Sequence, residues 1–248
     1  LPLTILGNWQ EIKGLFFWDD TFTLNKKRVL EICNKMSEKN LSLEWCVQAR
    51  VDTVDREILS SMKKAGCTTI CYGIESGSQR ILDNYLKKGI TLEKVKNAVR
   101  ISKQLGFVTH GYFMVGIPGE KAEDMDATIK FSRSIGLDAA EFAMLAPFVG
   151  TEIREIAKRE GKLLFEGSAG IDTHYGSIIK TKDIDPQLIR KKYDEAIKGF
   201  YFRPSYILDQ ILSVKSFNDL KRRYKGFLMV FNALAGRVEH KKIKQTAK

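Results

Sequence analysis

The sequence predicts an α/β protein: an open, partial parallel barrel of the TIM type, about five to six βα units long, followed by a C-terminal helical extension. Three observations predict it. Short apolar runs alternate with helical patterns from residue 14 onward. The runs recur about every 30 residues, the length of a βαβ unit. Gly66, Gly89, Gly106, Gly136 and Gly161 follow the helical patterns, where a left-handed C-terminal residue is favoured. Consecutive units of this kind build a parallel sheet with helices outside it, each crossover being right-handed.

Taken in order, the strands are GLFFW (14–18), LEWCVQA (43–49), TTICYGI (68–74), FVTHGYFMVGI (107–117) and AAEFAMLA (139–146). Between them KKRVLEICNKMS, DREILSSMKKAG, SQRILDNYLKKG, LEKVKNAVRISKQLG, AEDMDATIKFSRSIG and TEIREIAKREGK carry apolar residues at helical spacing. A complete eight-stranded barrel takes about 250 residues, whereas this alternation stops near residue 161. We therefore expect a partial barrel over residues 1–161, then an irregular linker and a basic helical extension over 162–248. Asp185-Pro186 opens the first of three helices there, at about 186–202, 205–213 and 216–235, the last with a stripe of Phe217, Leu220, Tyr224, Phe227, Phe231 and Leu234.

With 44% hydrophobic and 29% charged residues the composition is that of a soluble globular protein. Leu1 to Gly14 lacks the basic start and cleavage site of a secretory signal. GFLMVFNALAG (226–236) is far short of the roughly 20 apolar residues that span a bilayer. Four irregularly spaced cysteines form no disulfide framework, so a cytoplasmic location is expected. Of the net charge of +11, residues 203–248 hold +8, with 11 Lys/Arg against three Asp/Glu. Such a tail suits a solvated helix face, and only weakly a membrane surface or nucleic acid.

In parallel α/β folds the site lies at the carboxyl ends of the strands. Those ends carry Asp19-Asp20, Arg50 with Asp52, Glu75-Ser76, Gly116 through Glu120, and Leu145 through Pro147. Glu75 is the conspicuous residue, because a carboxylate ending an apolar strand must be met by something. It can accept two hydrogen bonds from a vicinal diol such as a ribose; alternatively it pairs with Arg50 or Lys88. Gly73 and Gly77 let the backbone approach a ligand, and Ser76 or Ser78 can cap the helix that follows. MVGIPGE (114–120) reads as a glycine-rich turn. Cys67-x-x-x-Cys71 imitates half of a cluster motif, but four residues of strand span about 13 Å, too far for two ligands of one cluster. Buried structural thiols are expected. His110, His174 and His240 are scattered and no metal spacing appears among them.

Together, FFWDDTFTLNKKRVLEIC, ARVDTVDREILSSMKKAGC, YGIESGSQRIL with KKGIT, GYFMVGIPGE and YFRPSYIL resemble one family in order and over nearly the whole chain. It is the radical S-adenosylmethionine (radical SAM) superfamily, in particular the branch with an N-terminal cobalamin-binding domain that includes proteins similar to anaerobic magnesium-protoporphyrin monomethyl ester cyclase. The resemblance implies an enzyme that uses a [4Fe–4S] cluster and S-adenosylmethionine for radical chemistry, either methyl transfer or oxidative cyclisation. It implies that Glu75 and Ser76 hold the ribose, Lys88 the methionine carboxylate, and Gly116, Ile117 and Pro118 the adenine side. Leu145 and Ala146 would give the adenine backbone contacts, with Tyr112 nearby, and Arg50 and Asp52 would face a small-molecule substrate. The family's CxxxCxxC loop is absent from these residues, and Asp19-Asp20 stand where its GGE-like motif is expected. Cluster ligands are therefore expected outside this chain, possible cobalamin binding belongs to a missing N-terminal domain or a separate N-terminal chain, and the chain alone is expected to be inactive. A reading of another class is a non-catalytic nucleotide- or RNA-binding degenerate barrel. An aldolase-like barrel would need a strand-end lysine, and the five runs contain none.

Overall fold

Phe16 and Phe17 are neighbours in the chain but face opposite sides of a sheet. Phe17 packs against Phe22 and, edge-on, against Trp45, at centroid distances of 4.9 and 5.3 Å. Phe16 lies on the other side, 41% exposed. That alternation, with period two, is also the burial pattern of the second, fourth and fifth strands of the computed structural model. The central third strand is instead buried on both faces at Ile70, Cys71 and Tyr72. The structure describes residues 14–41, 43–159 and 185–212, with a few isolated positions between 214 and 230.

The strands are β1 (Gly14–Phe17), β2 (Glu44–Ala49), β3 (Cys67–Glu75), β4 (Val108–Val115) and β5 (Ala139–Met144), adjacent in the sheet in chain order. β1–β2, β2–β3 and β3–β4 pair in parallel. Asp138 fastens β5 to β4: its backbone N–H donates to the Thr109 carbonyl, and its Oδ2 accepts from Thr109 N at 2.8 Å. The helices between strands are α1 (Lys26–Glu38), α2 (Arg56–Lys64), α3 (Gln79–Asn84), α4 (Leu92–Gln104) and α5 (Ala122–Ser134). Asn25, Asp55 and Thr91 cap α1, α2 and α4 through their side chains, each cap being worth about 1 kcal/mol.

One sheet face is buried beneath these helices. Val47, Ile70, Tyr72, Ile74, Phe113 and Phe142 are at most 2% exposed. The polar atoms buried with them are paired, as the cost of desolvation requires: Trp45 Nε1 donates to the Ala65 carbonyl at 2.7 Å, and the Tyr72 hydroxyl meets Ser102 Oγ at 2.8 Å.

Two expectations are corrected. The helix read from SQRILDNYLKKG ends at Asn84, because Lys87 and Gly89 both take left-handed φ, +48° and +68°, and turn the chain back toward β3. Gly77 does not face a ligand. A Cβ there would lie 2.6 Å from Phe131 Cβ and 2.7 Å from both Ala127 O and Thr128 Cα, so the glycine lets β3's end pack against α5.

The chain divides into two compact units, Leu1–Ala143 and Met144–Lys248. In the second, α6 (Glu152–Arg159) is anchored by the buried Arg154, whose Nη1 donates to the Pro147 carbonyl at 3.0 Å. α7 (Pro186–Tyr201) is capped by Asp185, has Pro186 in its first turn, and buries Ile189, Tyr193, Ala196, Ile197 and Phe200; α8 spans Pro204–Leu212. The expected domain boundary at 161/162, the irregular stretch to 184, His174, His240 and most of the 216–235 helix lie outside the described residues. No helix among the described residues is long and apolar enough to cross a membrane.

Gly77→Ala should lower the unfolding free energy by about 2–3 kcal/mol, the scale of overpacking against atoms that cannot move aside. Urea denaturation checks this, and a loss below 0.5 kcal/mol would contradict the close approach.

Candidate active site

The register difference between β3 and β4 creates the site. Gly73 pairs with Tyr112 and Glu75 with Phe113, so the ladder shifts at Ile74. Glu75 sits at φ +71° and the Ser76 N–H donates to the Ile74 carbonyl at 3.0 Å, the pattern of the rarer, strained hand of γ-turn. A non-glycine residue held there costs about 1–3 kcal/mol, and such outliers cluster at functional sites.

The turn aims the Glu75 carboxylate back over Gly73. Lys88 Nζ donates to Glu75 Oε1 at 2.7 Å, with side chains only 16% and 21% exposed respectively. A Cβ on Gly73 would stand 2.7 Å from Glu75 Oε1 and 3.2 Å from Lys88 Nζ, so only glycine leaves room beside this pair. Arg50 joins from β2's end: its Nη2 donates to the Lys88 carbonyl at 2.8 Å and its guanidinium forks onto both oxygens of Asp52, at 3.0 and 2.8 Å. Burial pushes the Asp52 carboxyl up, but the hydrogen bonds and charge of Arg50 outweigh it and hold it below the usual range. Four residues singled out in the sequence (Arg50, Asp52, Glu75 and Lys88) thus meet at one rim. Of the partners the sequence offered for Glu75, the structure shows Lys88, with the pair lying directly over Gly73.

Ser76 turns the other way. It is fully buried, its Oγ accepts from Ser78 N and meets Thr128 Oγ1, both at 3.1 Å, and Gly77 N donates to Thr128 Oγ1. Ser78 Oγ donates to Asp124 Oδ1 at 2.6 Å.

The loop after β4 is held by its own glutamate. Glu120 Oε2 accepts from Gly116 N at 2.7 Å and Ile117 N at 2.9 Å, while Gly116 and Gly119 take φ of +82° and +78°. Tyr85 lies directly over Gly119, where a Cβ would be 2.0 Å from its ring. Arg80 spans Tyr85, the Gly119 carbonyl and Asp124. Pro118 is half-buried, and Ile117 and Glu120 are fully buried. Glu120 Oε1 has no partner among the described residues, and burial, against the pull of the Ile117 and Gly116 amides, pushes the carboxyl up to about 8. Leu145 and Ala146 fall in the second unit, Leu145 buried and Ala146 half-buried.

His110 and Tyr112 stand on the face of β4 away from the helices, rings 4.9 Å apart. Burial lowers the His110 pKa against the charge of Glu141. Tyr112 is raised by burial and by its contacts with Cys71. His110 and Tyr112 are two residues apart on one strand, so the period of two puts them on the same face.

The four cysteines do not fit a cluster. All are free thiols; Cys33, Cys67 and Cys71 are buried and Cys46 is half-buried rather than part of the core. Burial raises each thiol, Cys33 to about 11, and thiolates are what iron requires. No group of three or more His, Cys, Asp or Glu among the described residues is placed to hold a metal ion.

Two outcomes follow from this geometry. Anaerobic reconstitution of the chain with iron and sulfide should give no stable [4Fe–4S] spectrum; a stable one would contradict the assignment of the thiols. A carboxyl that keeps its proton to about pH 8 in the fold, against an ordinary value of 4.5, makes the fold less stable as pH rises through that window. The melting temperature should therefore fall between about pH 5 and pH 8, and Glu120→Gln should flatten the decline. A wild-type profile as flat as the variant's would refute it.

A family model described as the radical SAM superfamily matches residues 3–132. An uncharacterized methyltransferase of Pyrococcus horikoshii is 35% identical over 92% of this chain and 49% of its own length. The anaerobic magnesium-protoporphyrin IX monomethyl ester cyclase of Rubrivivax gelatinosus is 32% identical over 59% of this chain and 26% of its own. The chain thus spans about half or less of these relatives. Among solved structures, the radical S-adenosylmethionine methyltransferase TsrM of Kitasatospora setae, with cobalamin and a [4Fe–4S] cluster bound, superposes with a TM-score of 0.56 at 19% identity, over 76% of this chain and 38% of that one, a likeness of fold. With the family model covering more than half of the sequence, over the same strands that assemble the Glu75–Lys88 rim, the chain belongs to the radical SAM superfamily.

Proposed function

We propose that this chain is the S-adenosylmethionine-holding half-barrel of a radical SAM enzyme whose reaction is a methyl transfer or an oxidative cyclisation. The observation that carries the reading is the Glu75–Lys88 pair, set on a strained turn over Gly73. A buried ion pair is stable only while both charges stay satisfied. S-adenosylmethionine carries a ribose diol for the carboxylate and its own carboxylate for the ammonium, so it can part the pair and leave neither charge bare. Arg50, through its bond to the Lys88 carbonyl, keeps the lysine in place while this exchange occurs. Arg50, Asp52 and Tyr112 face the substrate, and the loop Gly116–Pro118, locked by Glu120, faces the adenine side.

When bound, S-adenosylmethionine supplies an activated methyl and adenosyl group. The residues of this chain do not fit the [4Fe–4S] cluster that the family implies, so its ligands come from outside these 248 residues, on the same polypeptide or on a separate chain. The same source would carry a cobalamin-binding domain, as the fold likeness to a cobalamin-bound methyltransferase suggests. The alternative reading, an RNA-binding degenerate barrel, is not favoured, because the family and the curated relatives are enzymes.

Glu75→Ala should weaken S-adenosylmethionine binding at least about tenfold, the effect of removing hydrogen bonds to a charged group, with circular dichroism unchanged. Equilibrium dialysis with labelled ligand checks this. Unaltered affinity in Glu75→Ala would overturn the assignment of the ribose to this carboxylate.

A further inference from the structure

An amphipathic helix on a globular protein turns its apolar stripe to the core, whereas α8 turns it to solvent. Ile207, Leu208, Ile211 and Leu212 cover a stripe roughly 140° wide at 3.6 residues per turn. All four are exposed, by 42–74%, and no residue of the helix is buried. The opposite side ties the helix down. The Tyr206 ring packs 5.6 Å from Phe200 and, edge-on, 5.4 Å from Tyr201, both on α7. The Arg203 guanidinium, just before the helix, lies 4.3 Å from the Phe200 ring and 5.3 Å from the Tyr206 ring. These contacts fix the roll of α8: with Tyr206 held against α7, the aliphatic stripe points away from it.

The apolar surface continues beyond α8. Phe202, just before it, is exposed, and its ring lies 6.0 Å from that of Phe227, also exposed. Lys221 and Tyr224, at intervals of three residues before Phe227, are helical and exposed. Exposed apolar surface of this extent marks an interaction site, and its charge says with what. Residues 203–248 hold 11 Lys/Arg, seven of them lysine, against three Asp/Glu. Lysine is depleted in protein interfaces, and a second copy of the chain would bring +8 against +8. A nucleic acid is held through phosphate contacts and ring stacking, to which four aliphatic side chains add nothing. An anionic lipid surface uses both features: the apolar face enters the headgroup boundary, and each Lys/Arg near the surface adds to the attraction.

We propose that the second unit docks on an anionic lipid surface, with the Ile207–Leu212 stripe of α8 in the headgroup boundary and the basic residues of 203–248 against the lipid phosphates. Nine residues of helix are about 14 Å long, well short of the roughly 20 residues that cross a bilayer, so α8 lies in the plane of the membrane. The contact of Phe202 with Phe227 brings the rings of the following segment to the same surface. The proposal is independent of the Glu75–Lys88 reading, and Glu75→Ala leaves lipid binding unchanged.

Co-sedimentation of the full chain with vesicles tests this. At low ionic strength it should bind vesicles of equal parts phosphatidylglycerol and phosphatidylcholine at least about tenfold more tightly than pure phosphatidylcholine, because several basic residues meet the anionic headgroups. Leu208→Ser combined with Ile211→Ser should weaken binding to the anionic vesicles at least about tenfold, the effect of withholding two aliphatic side chains from lipid. Both side chains are exposed in the fold, so this variant should keep its far-UV circular dichroism and melting temperature. A second variant, Lys221→Ser with Arg222→Ser and Arg223→Ser, retains the stripe; it should lose a similar factor on anionic vesicles and nothing on phosphatidylcholine. Unchanged vesicle binding in the Leu208→Ser, Ile211→Ser variant would mean that charge acts alone, and overturns the proposal. So does a lack of vesicle binding, tighter binding of oligouridylate than of the vesicles, or a dimer in sedimentation equilibrium that the same two substitutions dissociate.

Discussion

A single ion pair, Lys88 on Glu75, organises the carboxyl ends of the strands. It exists because the backbone is bent at both partners. Glu75 takes left-handed φ where β3 slips against β4, and Lys87 does so just before Lys88. These are two of the three non-glycine residues with positive φ among the described residues, the third being Asn40. Strain of this kind persists only where surrounding contacts over-determine it. Here those contacts are Arg50 on the Lys88 carbonyl, the Lys88 N–H on the Leu82 carbonyl, and the packing of Gly77 against α5.

The rim is close to neutral, with Arg50 and Lys88 balanced by Asp52 and Glu75. It therefore lacks the one-signed field that gathers polyanions over a distance. The positive charge of the sequence is concentrated in residues 203–248 instead. A balanced rim selects by position: each charge is satisfied at rest, and a ligand must satisfy both when it enters. Such a balance lacks the positive field that binding of a nucleic-acid backbone through phosphate contacts would need.

Around the rim, polar residues divide into those that face outward and those that hold the walls. Ser76, Ser78, Thr128 and Asp124 hydrogen-bond among β3, α3 and α5, and Arg80 with Tyr85 clasps the loop that Glu120 locks. Serine and glycine beside a strand-end carboxylate look like ligand contacts when read along the chain. In the fold their neighbours across sequence claim them. Ser76 reaches Thr128, 52 residues away, and no local pattern announces that partner.

The order of strands and helices, the glycine turns and the placing of Glu75, Arg50 and Asp52 at strand ends were legible in the sequence. Apolar periodicity and helix caps are local, and a charge at the end of an apolar run is conspicuous wherever it occurs. What the chain alone could not state was which partner meets that charge, where α3 stops, and which of two adjacent polar residues turns inward. Those depend on φ at single positions and on register. The face shared by Phe16, His110 and Tyr112 exists only once four strands lie side by side, because the parallel ladder, and not the distance along the chain, decides which side chains meet.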